Sequence, residues 1–105
     1  MSLRMLKNNI RPIHPGEILR EEYLAQIGMS ANALSIRLRV SASRINDVLR
    51  ERRRITTDTA LRLARFFNTT PQFWLNLQTN FVLKKTEIVV GDKIAQEIHP
   101  LLSAN

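Results

Sequence analysis

Cysteine is missing from this 105-residue chain. Neither a disulfide framework nor a thiolate metal centre can therefore form. Histidine occurs only as His14 and His99, far apart in the sequence and poorly placed to share a metal ion. The adjacent acids Glu21 and Glu22 diverge on a helix and make no carboxylate pair. Glycine numbers three, with no phosphate-cradling run among them. No apolar stretch approaches the ~20 residues a membrane span needs, and no secretory h-region opens the chain. These absences predict no enzyme, no metal, no cofactor and no membrane anchor. A reducing cytoplasmic setting fits them.

Acidic side chains are also scarce. Nine Asp and Glu face sixteen Lys and Arg, a net charge of +7. Such a balance favours polyanionic partners, whether DNA, RNA or an acidic protein. The surplus is concentrated: Arg37, Arg39, Arg44, Arg50, Arg52, Arg53 and Arg54 lie close together, opposed there only by Asp47 and Glu51. Arginine suits bidentate contact with phosphate or guanine. The blander reading is a solvated face that keeps the protein soluble.

What is present is helical punctuation. The length predicts one domain, and the periodicity predicts an all-α fold of five helices. His14-Pro15-Gly16-Glu17 opens the first, Pro15 suiting the first helical position and Glu17 the positive helix end. Ile18, Leu19, Tyr23, Leu24 and Ile27 form its expected buried stripe, and Gly28 ends it. Ser30 caps a second helix bearing Leu34 and Leu38. Val40 sits in a short turn, and Ser41 caps a third helix in which Ile45, Val48 and Leu49 face inward. After a basic loop over residues 51–56, Thr57 is expected to cap a fourth helix, with Ala60, Leu61, Leu63, Ala64 and Phe67 as its apolar face. Thr70 and Pro71 open a fifth, carrying Phe73, Trp74, Leu75, Leu77, Phe81 and Val82. Ile88-Val89-Val90 reads as a short strand or an extension. One or two helical turns follow between Lys93 and His99, Ile94 and Ile98 facing inward. The expected organisation is an arm over residues 1–13, a domain over 14–86 and a C-terminal extension over 87–105.

The second and third helices, joined by so tight a turn, make a helix-turn-helix, the unit that lays its second helix in a DNA major groove. The exposed positions of that helix then become candidate readers. Ala42, Ser43, Arg44, Asn46 and Asp47 are assigned to base edges: Ala for a thymine methyl, Arg for guanine, Asn for adenine and Asp for cytosine. Asp47 has an alternative role, pairing with Arg44 at i, i+3. Ser41, Arg50, Arg52, Arg53 and Arg54 are assigned to phosphate, Ser41 doubling as the cap. Phe73, Trp74, Leu77 and Phe81 make more apolar surface than one small monomer needs, which predicts a homodimer interface. Their use as stacking platforms for a single strand is the weaker reading.

At this point the chain resembles a known family. Its His14-Pro15-Gly16-Glu17-Ile18-Leu19, Asn32-Ala33-Leu34, Arg44-Ile45, the run from Ile55 to Phe67, and Pro71-Gln72-Phe73-Trp74-Leu75-Asn76-Leu77-Gln78 are similar to the HigA/VapI-type antidote proteins of toxin–antitoxin modules. Those belong to the wider lambda-repressor-like (Xre) helix-turn-helix group. The resemblance implies a five-helix lambda-repressor-like bundle, a homodimer on a palindromic double-stranded operator, repression of its own operon, and neutralisation of an RNA-cleaving toxin. A stand-alone Xre-type regulator without a toxin is the alternative. Two positions depart from the repressor pattern. Ser35 stands where Ala is usual, and Arg39 stands where Gly is usual in the turn. Arg39 must either hold a left-handed backbone or relax the turn, at a cost of about 1 kcal/mol.

Overall fold

Capping chemistry divides the chain as its punctuation suggests. The computed structural model describes residues 11–102, so the expected arm over 1–13 lies outside the described residues except for its last three positions. His14 caps the first helix by accepting from the Gly16 N–H at Nδ1 (2.8 Å). That helix, α1, runs through three consecutive stretches: Pro15–Ile18, a wider π-type segment Leu19–Leu24, and Ala25–Ile27. The others are α2 (Ala31–Leu38), α3 (Ala42–Leu49), α4 (Thr57–Phe67) and α5 (Pro71–Glu97). Among the described residues no strand occurs. Ser30, Ser41 and Thr70 each accept from the backbone N–H three residues on. The fourth cap is Thr56, which accepts from Thr59 N, and not the expected Thr57.

The first four helices end in the same way. At Gly28, Arg39, Glu51 and Asn68 the backbone turns left-handed, with φ between 57° and 63°. The next N–H then reaches back to a carbonyl five residues earlier: Met29 to Leu24, Val40 to Ser35, Arg52 to Asp47 and Thr69 to Ala64. This closure satisfies the last carbonyls of each helix. Only Gly28 adopts it without a Cβ penalty. Arg39 takes the left-handed option rather than relaxing the turn (φ 59°, ψ 46°). The buried Ser35 hydroxyl donates to Asn32 O (2.7 Å), so it packs as alanine would without stranding a donor.

The core is built from Leu19, Leu24, Leu34, Leu38, Ile45, Val48, Ile55, Ala60, Leu63, Ala64 and Trp74. The leucine, isoleucine and valine side chains among them contribute roughly 1.5–3 kcal/mol each when fully buried. Trp74 sits 0% exposed, its ring 5.0 Å from those of Tyr23 and Phe73, and its Nε1–H donates to Thr69 Oγ1 (2.8 Å). That corrects its place among the expected interface residues: an indole sealed by its own subunit offers no surface to a second. Ile27 and Leu61 are also corrected, each 55% exposed instead of lining the core.

The C-terminal segment departs most from expectation. Ile88-Val89-Val90 is neither strand nor loose extension, because α5 runs unbroken through it and through Gly91 to Glu97. The expected boundary at residue 86 falls inside this helix. Ile94 and Ile98 do not face inward; both are exposed. Thr70, Pro71 and the packing of Trp74 and Gln78 fix the first turns, and propagation adds one hydrogen bond per residue thereafter.

Candidate nucleic-acid interface

Two non-local contacts set the position of α3. Gly16, in the first turn of α1, lies directly against the Val48 carbonyl near the end of α3. Arg20, on the same helix, donates from Nη1 to Leu49 O and lies 3.6 Å from Glu51. A cation at that end complements the helix dipole. Ile45 and Val48 are sealed inside, so the opposite face of α3 is turned outward.

On that outward face Ala42 and Ser43 are exposed at the helix start. Ser41 caps through Oγ and lies 3.3 Å from the Ser43 hydroxyl. Asn46 is half-buried and donates from Nδ2 to Ala42 O one turn back (3.0 Å). Rotating that side chain would free its amide for an adenine edge. Arg44 extends the other way, Nη1 lying 3.5 Å from both Asp58 Oδ1 and Thr59 Oγ1. Asp47 pairs with Arg53 (3.3 Å) and not with Arg44, which corrects the i, i+3 alternative. The loop places a guanidinium nearer to it than helical spacing does.

The basic loop is held more firmly than its composition suggests. Ile55, 1% exposed, plugs into the core, and its N–H donates to Gln78 Oε1 on α5 (2.8 Å). Arg50, Arg52, Arg53 and Arg54 stay exposed around this anchor. Arg44, Arg53, Arg54, Thr56, Asp58 and Thr59 line a recess of about 310 Å³ beside the start of α3. A larger depression of about 880 Å³ lies between α2 and α4, bounded by Arg37, Arg39, Arg62 and Arg65 over Leu61 and Phe66.

The arrangement is a short helix with small polar residues at its tip, flanked by rigidly based cations. It can enter a groove and hold the phosphates on either side. Sequence reasoning missed Arg20 and Gln78 as supports because they act across 29 and 23 residues, and it missed Asp58 with Arg62 although their i, i+4 spacing on α4 is local. Ile55, a lone aliphatic residue after three arginines, was a further local signal. Phe73, Leu77 and Phe81 retain partial exposure along α5, Phe81 also packing edge-on to His14 (4.8 Å). Burial pushes the His14 imidazole below its ordinary range, in keeping with a neutral ring that accepts from Gly16. Among the described residues no three His, Cys, Asp or Glu side chains gather to hold a metal, and no helix is long and apolar enough to cross a membrane.

A helix-turn-helix family model matches residues 19–74. The chain is 58% identical over 87 residues to virulence-associated protein I of Dichelobacter nodosus, covering 83% of this chain and 81% of that one. Its fold is similar to that of the Pseudomonas aeruginosa antitoxin HigA solved with the higBA promoter (TM-score 0.84, 50% identity, 88% of this chain and 100% of that one). A HigA-family addiction module antidote protein from Coxiella burnetii is also similar (TM-score 0.83, 50% identity, 87% and 99%).

Proposed function

Because the chain belongs to the helix-turn-helix family, among proteins of the HigA and VapI kind, we propose that it is an antitoxin that binds its own operator as a dimer, represses that operon and neutralises a partner RNase toxin. The observation that carries the DNA-binding part is the outward face of α3 bordered by Arg50, Arg52, Arg53 and Arg54, on a fold shared with an antitoxin bound to promoter DNA. Proteins of this family act by binding, and the reading includes no catalytic step. It places the protein with its operator, in the cytoplasm. Two copies of α3 would enter half-sites about 34 Å apart.

The direct test is fluorescence anisotropy with duplex taken from upstream of the protein's own reading frame, against a shuffled duplex of equal length. Equal affinity for both would overturn the reading. The neighbouring reading frame tests the antitoxin part: co-expression should rescue growth from its product, and no rescue would favour the stand-alone regulator. Arg44 and Asn46 are the first choices for base contact. Asn46→Ala is expected to lower operator affinity by about tenfold, to flatten preference at one base pair per half-site, and to leave shuffled-duplex affinity unchanged. An equal loss on every duplex would remove Asn46 from the readers.

The dimer surface lies on α5 past the bundle. Beyond Phe81 this helix carries exposed aliphatic residues between its charged ones, with Leu83, Ile88, Val89 (78% exposed) and Ile94 uncovered. Several large apolar side chains exposed close together mark an interaction surface. A second copy, its α5 packed alongside, would cover this surface and set two α3 helices as a pair. The part-exposed Phe73, Leu77 and Phe81 continue the same surface toward the bundle. The Val89→Glu/Ile94→Glu variant should run as a monomer by light scattering while keeping the parent's helical circular dichroism. Its operator affinity should fall about a hundredfold as bivalency is lost. A variant that stays dimeric would move the interface elsewhere.

A further inference from the structure

Asp58 is an acid in the wrong place for a surface that grips phosphate. It lies in the first turn of α4 and, among the described residues, is the single acidic side chain lining either basic depression, standing at the rim of both. Its carboxylate is held from one side by Arg62, whose Nε lies 2.6 Å from Oδ1 and 3.2 Å from Oδ2. Arg62 is itself fixed, donating from Nη1 to Leu38 O at the end of α2 (2.9 Å). From the other side Arg44 reaches the same Oδ1 at 3.5 Å. The Arg62 hydrogen bond, then the charges of Arg62 and Arg44, hold the Asp58 carboxyl below the usual range, so it stays ionised. A continuous chain of contacts therefore runs from the end of α2 through Arg62 and Asp58 to the guanidinium on α3.

A carboxylate there repels phosphate, so raw affinity does not account for it. What it does is restrict Arg44. A guanidinium has five N–H donors. Directing one to Asp58 leaves others free for the O6 and N7 of guanine, while swinging the whole group onto a phosphate would break the pair. We propose that Asp58, clamped by Arg62, is a specificity-determining positioning residue that holds Arg44 for base reading and withholds it from the phosphate backbone. This rests on the reading that Arg44 contacts bases.

The experiment compares affinities for a duplex selected from a random library by the parent protein and for a shuffled duplex, at one salt concentration. Asp58→Asn removes the charge with little change in shape. It should tighten shuffled-duplex binding and weaken selected-duplex binding, lowering their ratio about tenfold. Asp58→Glu keeps the charge but moves the carboxylate by one methylene, and should also lower the ratio. In an Arg44→Ala background, Asp58→Asn should leave the ratio unchanged. The proposal is overturned if Asp58→Asn tightens both duplexes by one common factor, which is simple relief of repulsion, or if Asp58→Glu preserves the ratio. If Arg44→Ala alone leaves the parental ratio intact, Arg44 reads no base and the premise itself fails. Thermal melts of each variant separate these outcomes from loss of fold.

Discussion

Gly16→Ala is expected to melt about 15 °C below the parent protein. A Cβ built on Gly16 would stand 1.9 Å from the Val48 carbonyl oxygen and 2.9 Å from its carbon. Both are backbone atoms of α3, so no side chain can rotate out of the way. The two helices must separate at the very contact that positions the C-terminal end of α3, and Arg20 loses its hold on Leu49 O. Overpacking costs about 1–3 kcal/mol, and a backbone-on-backbone clash belongs at the upper end. For a domain of this size each kcal/mol lowers the melting temperature by roughly 4–8 °C. Gly91 supplies the opposite case on the same molecule. A Cβ there meets nothing nearer than Glu87 Cβ at 3.8 Å, inside a regular helix. Gly91→Ala should therefore stabilise by about 0.5–1 kcal/mol and raise the melt by several degrees. Calorimetry on the two variants decides the matter. Melts shifted by similar amounts in one direction would show that the α1–α3 contact is not the tight one.

Neither sign can be assigned from the sequence, where Gly16 lies in the first turn of an expected helix and Gly91 between a strand-like run and a short helical stretch. Legibility here follows the range of the interaction. Ser30, Ser41, Thr70 and Gly28 act on residues within one turn, and their roles could be read from residue type and spacing. So could the inward positions Ile45 and Val48, since a 3.6-residue period fixes which side chains share a face. Thr56 and Thr57 differ by one residue in a Thr-Thr pair, which local chemistry does not separate. Arg20 with Leu49, and Ile55 with Gln78, are 29 and 23 residues apart, and no periodicity announces them. Asp47 has a choice of guanidiniums, and tertiary placement of the loop settles it in favour of Arg53. Ile88-Val89-Val90 favours strand by local preference, but a helix already anchored at Trp74 and Gln78 carries it along. Arg39 and Glu51 show the same override in the backbone. Each holds a left-handed residue at roughly 1 kcal/mol, and together they bracket α3 with two sharp closures.

The basic loop after α3 carries the other large effect. An Arg52→Ala/Arg53→Ala chain is expected to bind every duplex about four thousandfold more weakly near 0.1 M salt, because a dimer loses about four phosphate contacts, each worth roughly eightfold there. The same loss should flatten the plot of log affinity against log salt by about 3.6 units, at ~0.9 per contact. Arg52 has no ion pair among the described residues, so its charge is available. Arg53 must share with Asp47 at 3.3 Å, an exposed pair that offers little resistance to a phosphate. The plug at Ile55 and the Gln78 hydrogen bond keep the loop in place, so few backbone rotations freeze on binding. Selectivity should not change, because phosphates are alike at every base pair. The double variant and Asn46→Ala thus move different observables. One alters the salt slope with the selected-to-shuffled ratio constant, and the other alters the ratio with the slope constant. A salt slope that stays at the parental value would show that these guanidiniums face solvent in the complex, and the phosphate grip would then have to come from Arg50 and Arg54.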